Sequence, residues 1–137
     1  DMLRSVEISE EAPRIVVATP VGHWHEFGAL AAALAASESG WRASYFGPSL
    51  PSEEIAYAAR RTKARAVALS LCHRLAGNRL VTELKNLRRL VGNARPIFLG
   101  GAGIRFLRRM KRQTGAIYIE DLHAFRKGLE RLAEQPE

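Results

Sequence analysis

Two histidines, His23 and His25, stand two residues apart in Thr19-Pro20-Val21-Gly22-His23-Trp24-His25-Glu26-Phe27-Gly28. An imidazole can ligate a transition metal through one ring nitrogen while a neighbour holds the proton of the other and sets its tautomer. The pair allows that chemistry, and it equally allows two histidines that bind nothing. Ser70 closes an apolar run and is followed by Leu71, Cys72 and His73; a hydroxyl there either meets a ligand or satisfies a loose backbone group. Gly100-Gly101-Ala102-Gly103 is a third cluster, where the absence of side chains lets a ligand or another stretch of chain come close to the backbone. Cys72 and His73 suggest a nucleophile and a base, but adjacent side chains seldom face one another, and no third group orients the imidazole.

The elements that position these residues follow from patterning. Arg14 to Thr19 is a β-branched run between Pro13 and Pro20, too apolar for a sheet with one wet face, and so reads as a buried strand. Glu26 to Ser37 is rich in alanine and suits a helix packed closely on a sheet, stopped at Gly40. Trp41 to Phe46 reads as a second strand, and Gly47 to Pro51 as a turn. Ser52 then reads as an N-cap ahead of Glu53 and Glu54, opening a helix to about Thr62. Ala64 to Leu71 is a third strand. Leu80, Leu84, Leu87 and Val91 form one stripe of a helix from Asn78 that ends at Gly92. Pro96 to Leu99 is the fourth strand, Ile104 to Gln113 a helix stopped by Gly115, Ala116 to Ile119 the fifth strand, and Asp121 to Glu134 a closing helix.

Strands alternating with helices at roughly 25-residue spacing imply right-handed crossovers and a parallel sheet covered on both faces. The fold expected is α/β and flavodoxin-like (Rossmann-type): a doubly wound five-stranded parallel sheet over residues 14–134, with residues 1–13 as a leader or linker. Ligands of such sheets sit beyond the carboxyl ends of the strands. The loops after strands one, three and four carry the three clusters and converge on that rim.

Composition narrows the class. A chain of 137 residues, 47% hydrophobic and 26% charged, supports one ordinary globular core. A lone cysteine excludes an internal disulfide and points to a reducing compartment, the cytoplasm. No run approaches the roughly 18 apolar residues of a membrane span. Twenty-one basic against 14 acidic residues leave a net charge of +7, which favours anionic partners weakly. Part of the excess lies at Arg105, Arg108, Arg109, Lys111 and Arg112, where helical spacing makes a solvated face and at most a salt-sensitive, sequence-blind grip on nucleic acid.

Several tenants of this fold are excluded by what the loops lack. A phosphate receiver needs an acidic pair after strand one and an Asp near the end of strand three, where Thr19-Pro20 and Ser70 stand. The loop Pro20-Val21-Gly22-His23 lacks the Ser, Thr and Gly of a flavodoxin phosphate loop, and no G-x-G-x-x-G opens a helix.

Taken together, His23-Trp24-His25-Glu26-Phe27-Gly28, Ser70-Leu71-Cys72 and Gly100-Gly101 resemble the Asp-x-His-x-x-Gly, Ser-x-Leu and Gly-Gly pattern of the B12-binding (cobalamin-binding) domain family, over about residues 13 to 134. The stretch Tyr45 to Ile55 further resembles the cobalamin domains of MerR-type, light-responsive regulators. The resemblance implies a cobalamin, as adenosylcobalamin or another corrinoid, held with its dimethylbenzimidazole tail displaced from cobalt and threaded between sheet and helices. It implies that His25 is the lower cobalt ligand, that Gly28 leaves room for the tail, that Ser70 bonds near the ligand or tail, and that Gly100 and Gly101 let backbone approach the nucleotide. His23 stands where the family has Asp or Glu, so a neutral side chain replaces the carboxylate that raises the basicity of the ligating imidazole.

The resemblance also implies a sensory module of a transcriptional regulator rather than an enzyme, with other protein domains or subunits as partners and DNA reached only through a domain absent from this chain. Related domains are thought to hold haem, which the paired histidines would also suit. The same fold serves as the corrinoid carrier of mutases and methyltransferases, and a domain that has lost its cofactor and mediates protein contacts is a further reading.

Overall fold

The computed structural model describes residues 11–72, 77–110 and 114–136, with the backbone alone at 77, 78, 106 and 108–110. In chain order the elements are β1 (Arg14–Ala18), α1 (Phe27–Glu38), β2 (Arg42–Tyr45), α2 (Ser52–Arg61), β3 (Ala66–Ser70), α3 (Gly77–Val91), β4 (Ile97–Gly100), a 3-10 segment (Ala102–Met110), β5 (Ile117–Tyr118) and α4 (Leu122–Glu134). The strands pair in parallel in the order β2-β1-β3-β4-β5. This is the flavodoxin-like order, with its switch point between β1 and β3.

Side chains alternate across each strand, so the sheet feeds two cores. Val67, Leu69, Ile97 and Leu99 face α2 and α3, together with Ile55, Leu84 and Leu87. Ile15, Val17, Ala66, Ala68 and Phe98 face the other way, onto Ala29, Ala35 and Ala36 of α1 and Phe125 and Leu129 of α4. Both strand faces are buried, which is why β1 and β3 read as unbroken apolar runs. Helix α1 lies close to the sheet on its alanines, and Gly128 does the same for α4: a Cβ there would stand 2.8 Å from Phe98 Cε1.

Local chemistry departs from expectation in three places. Ser52 is the first residue of α2 rather than its cap, a position taken by Pro51. The Ser52 hydroxyl is engaged across the layer instead, accepting from Asn86 Nδ2 at 2.7 Å. The segment after β4 begins at Ala102 as a 3-10 helix, where an α-helix was expected from Ile104. The Gly103 amide is drawn to the Leu71 carbonyl at 2.8 Å while the Ile104 amide closes onto Gly101, three residues back. A chain that folds straight back over β3 takes the tighter turn. Finally, β5 is only two residues long, although the Ile119 amide still bonds to the Leu99 carbonyl at 2.8 Å. Of the arginine-rich run, Arg105 is exposed; the side chains of 108 and 109 and residues 111–113 lie outside the described residues, as does His73.

Candidate functional site

Between α1, α4 and the carboxyl ends of β3 and β4 opens a cavity of about 480 Å³, within the usual size of a small-molecule site. Gly28, Ser70, Gly100, Gly101, Arg105, Glu120 and Asp121 lie toward its rim, and Ala31, Ala32, Ala68, Phe98 and Phe125 line it further in. Depth follows from register. Ser70 pairs with Gly100 and Ala68 with Phe98, so the second pair sits two residues, about 6.6 Å, down the strands on the same face. Ala31 and Ala32 lie a turn along α1 from Gly28, and Phe125 a turn along α4 from Asp121.

Four of the six residues singled out in the sequence therefore meet at one place, and each has a physical role in its opening. A Cβ on Gly28 would collide with Ser70 Oγ, so α1 can enter this close to β3 only on glycine. Gly101 has φ +96° and would drive a Cβ into the Leu71 carbonyl, so it makes the turn off β4. Gly100 differs. Its φ lies outside the left-handed region, and a Cβ there would find only the Ile119 carbonyl at 3.7 Å, an ordinary contact. The fold does not require glycine at position 100; the open cavity does.

The two histidines stand apart from this lining. His23 is fully buried at 0% exposure, whereas His25 is exposed on the loop leaving β1, three residues ahead of Gly28. That loop is tied down from below. Thr19 Oγ1 donates to the His23 carbonyl at 2.5 Å and accepts from the Ser49 amide at 2.7 Å. The Gly22 amide donates to Ser49 Oγ at 3.0 Å, and the His23 amide to the Pro20 carbonyl at 3.0 Å. From the other side the Tyr45 hydroxyl donates to Glu26 Oε1 at 2.5 Å. Burial first, and then the Glu26 carboxylate, hold the Tyr45 phenol well above its usual pKa, so it stays a donor. His25 is thus an exposed imidazole on a braced loop at the carboxyl edge of the sheet.

Sequence reading missed Thr19, Ser49 and Tyr45 as braces, and the deep wall of Ala31, Ala32, Ala68, Phe98 and Phe125. The alanine content of α1 was the visible signal for close packing, but nothing local says that the space left over is a cavity.

A family model of the B12 binding domain matches residues 13–127. The chain belongs to the B12-binding domain family. Solved structures agree on the fold. A cobalamin-binding protein from Desulfitobacterium hafniense DCB-2 superposes with a TM-score of 0.72 at 17% identity, over 89% of this chain and 60% of that one. The monomethylamine corrinoid protein of Methanosarcina barkeri gives 0.71 at 17% identity, over 94% and 62%. The methanol:cobalamin methyltransferase complex MtaBC of Methanosarcina barkeri gives 0.76 at 15% identity, over 97% and 52%. The chain thus spans between about half and three fifths of these neighbours. A search of curated proteins finds no match.

The residues present fit the cofactor that B12-binding domains take. The cavity reaches from the rim as far down as Ala68 and Phe98, glycine leaves it open where the fold itself asks for none, and an imidazole stands outside its mouth. Among the described residues no helix is long and apolar enough to cross a membrane.

Proposed function

We propose that this B12-binding domain holds a corrinoid with its nucleotide tail in the α1/α4 cavity and His25 as the lower ligand of cobalt, and that it serves as the sensory module of a transcriptional regulator. The observation that carries the binding mode is Gly100, a cavity-lining glycine whose lack of a side chain no protein contact explains. The corrinoid would supply cobalt axial chemistry; the chain supplies the imidazole of His25 on a braced loop, a rim of glycines with Ser70, and an apolar sleeve. His23, buried beneath the loop, anchors the segment that presents His25. A haem has no nucleotide tail and would leave the sleeve unfilled, which favours the corrinoid over haem.

The regulator reading rests on the resemblance of Tyr45 to Ile55, and we read the domain as binding rather than catalytic. A second reading, a corrinoid carrier working with a methyltransferase subunit, is supported by the two Methanosarcina neighbours. Trp24, Phe27, Leu30 and Leu34 expose apolar surface on α1 and just ahead of it, with Phe27 90% exposed, the kind of face that a partner domain or subunit covers.

Binding is tested by mixing the protein with hydroxocobalamin, passing it over a sizing column and recording the corrin spectrum. Co-elution with a shifted spectrum is expected, and His25→Ala should retain the corrinoid more weakly without the shift. Equal spectra in the two proteins would remove His25 from the cobalt. The sensor role falls if corrinoid leaves the DNA affinity of a longer chain carrying the DNA-binding domain unchanged.

A further inference from the structure

The deep wall of the cavity is chemically different from its rim. Past Ser70 and Gly100 the lining side chains are Ala31, Ala32, Ala68, Phe98 and Phe125, with no hydrogen-bonding side chain among the described residues at that depth. The backbone there offers nothing either. β3 is paired on both sides and so is β4, the Phe125 amide is spent on the Asp121 carbonyl, and Ala31 and Ala32 lie past the first turn of α1, where amides are intrahelical. Phe98 and Phe125 meet edge to face, with ring centroids 5.4 Å apart, and Gly128 lets α4 press directly against Phe98. Among the described residues the polar side chains of the lining, namely Ser70, Arg105, Glu120 and Asp121, sit at the mouth.

From this division we infer that the domain selects among corrinoids by the base at the end of the tail, taking benzimidazole-type bases with apolar edges and discriminating against purines. The inference rests on the tail occupying this cavity, as proposed above. The rim suits the charged and hydroxylated part of a nucleotide tail, its phosphate and ribose. The sleeve beyond it suits an aromatic base that asks for no hydrogen bond. An adenine base brings an exocyclic amine and ring nitrogens that lose water here and gain no partner, and each unsatisfied group costs about tenfold in affinity. Ala68 is the position that decides. It lies at the depth of Phe98 on the same sheet face, and a hydroxyl placed there would supply the missing partner.

The test titrates the protein with the hydroxo forms of cobalamin, of its adenine-tailed analogue and of cobinamide, which has no nucleotide tail, following the corrin spectrum. Cobalamin is expected to bind at least tenfold more tightly than the adenine-tailed analogue, and cobinamide more weakly than cobalamin. Ala68→Ser should lower the ratio between the two tailed corrinoids severalfold; free-ligand differences cancel in that comparison. Equal affinity for the two tailed forms would overturn the selection while leaving corrinoid binding intact. An Ala68→Ser protein with an unchanged ratio between the two tailed corrinoids would also overturn it, since the free-ligand terms are common to both proteins. Failure of all three to bind would instead overturn the proposed function itself.

Discussion

At the scale of single residues, the two neighbouring glycines after β4 separate what folding needs from what a ligand needs. Gly101 turns the chain with φ +96° against the Leu71 carbonyl, so Gly101→Ala should cost about 1–3 kcal/mol in urea unfolding. Gly100→Ala should leave stability unchanged or raise it by up to about 1 kcal/mol, because the backbone there accepts alanine, yet weaken corrinoid binding by narrowing the cavity. Loss of binding with an unchanged denaturation midpoint is the expected signature. The Gly-Gly motif was legible in the sequence, but the division of labour within it was not, because it depends on which atoms lie opposite each Cα. Tyr45 carries a pH prediction. Its folded-state pKa is raised from 10.0, so the unfolded chain releases this proton first and stability, complete below about pH 9, should fall as pH climbs past 10. Tyr45→Phe should flatten part of that fall in denaturation midpoints measured from about pH 9 to pH 11.

Elements show how much of this architecture is held by ties between segments distant in sequence. Arg88, on the last turn of α3, donates to the carbonyls of Gly92 at 3.1 Å, Arg95 at 2.7 Å and Gly115 at 2.8 Å. One guanidinium thereby joins the helix end, the approach to β4 and the approach to β5, and burial lowers its pKa. Arg88→Ala should cost about 1–2 kcal/mol, discounted for partial exposure, and Arg88→Lys should not recover it because an ammonium cannot span three carbonyls. Urea midpoints of the two variants check this. Sequence periodicity located α3 well, since its apolar stripe repeats at helical spacing. It misjudged the segment after β4, where Gly101 and the Leu71 carbonyl impose 3-10 geometry on residues that read as an α-helix.

Across the whole molecule, α2 and α3 form with one sheet face a filled core, while α1 and α4 stand over the other face with a cavity at its carboxyl end. Filling that cavity should stabilise the fold. At cobalamin one hundred times its Kd the gain is about 2.7 kcal/mol, or roughly 5–15 °C in Tm. A thermal melt with and without cobalamin checks this.

Strand runs, helix stripes, the parallel five-stranded layer and the convergence of three loops on one rim were determined by the sequence itself. Each rests on periodicity, β-branching or a chain-breaking residue acting over a few positions. What only the tertiary structure decided is how neighbours in the chain are parted and strangers joined. His23 goes inward and His25 outward, and Ala31, Ala68 and Phe125 become walls of one space. These outcomes depend on where layers meet and how closely glycines let them approach, and the order of residues along one segment does not encode them.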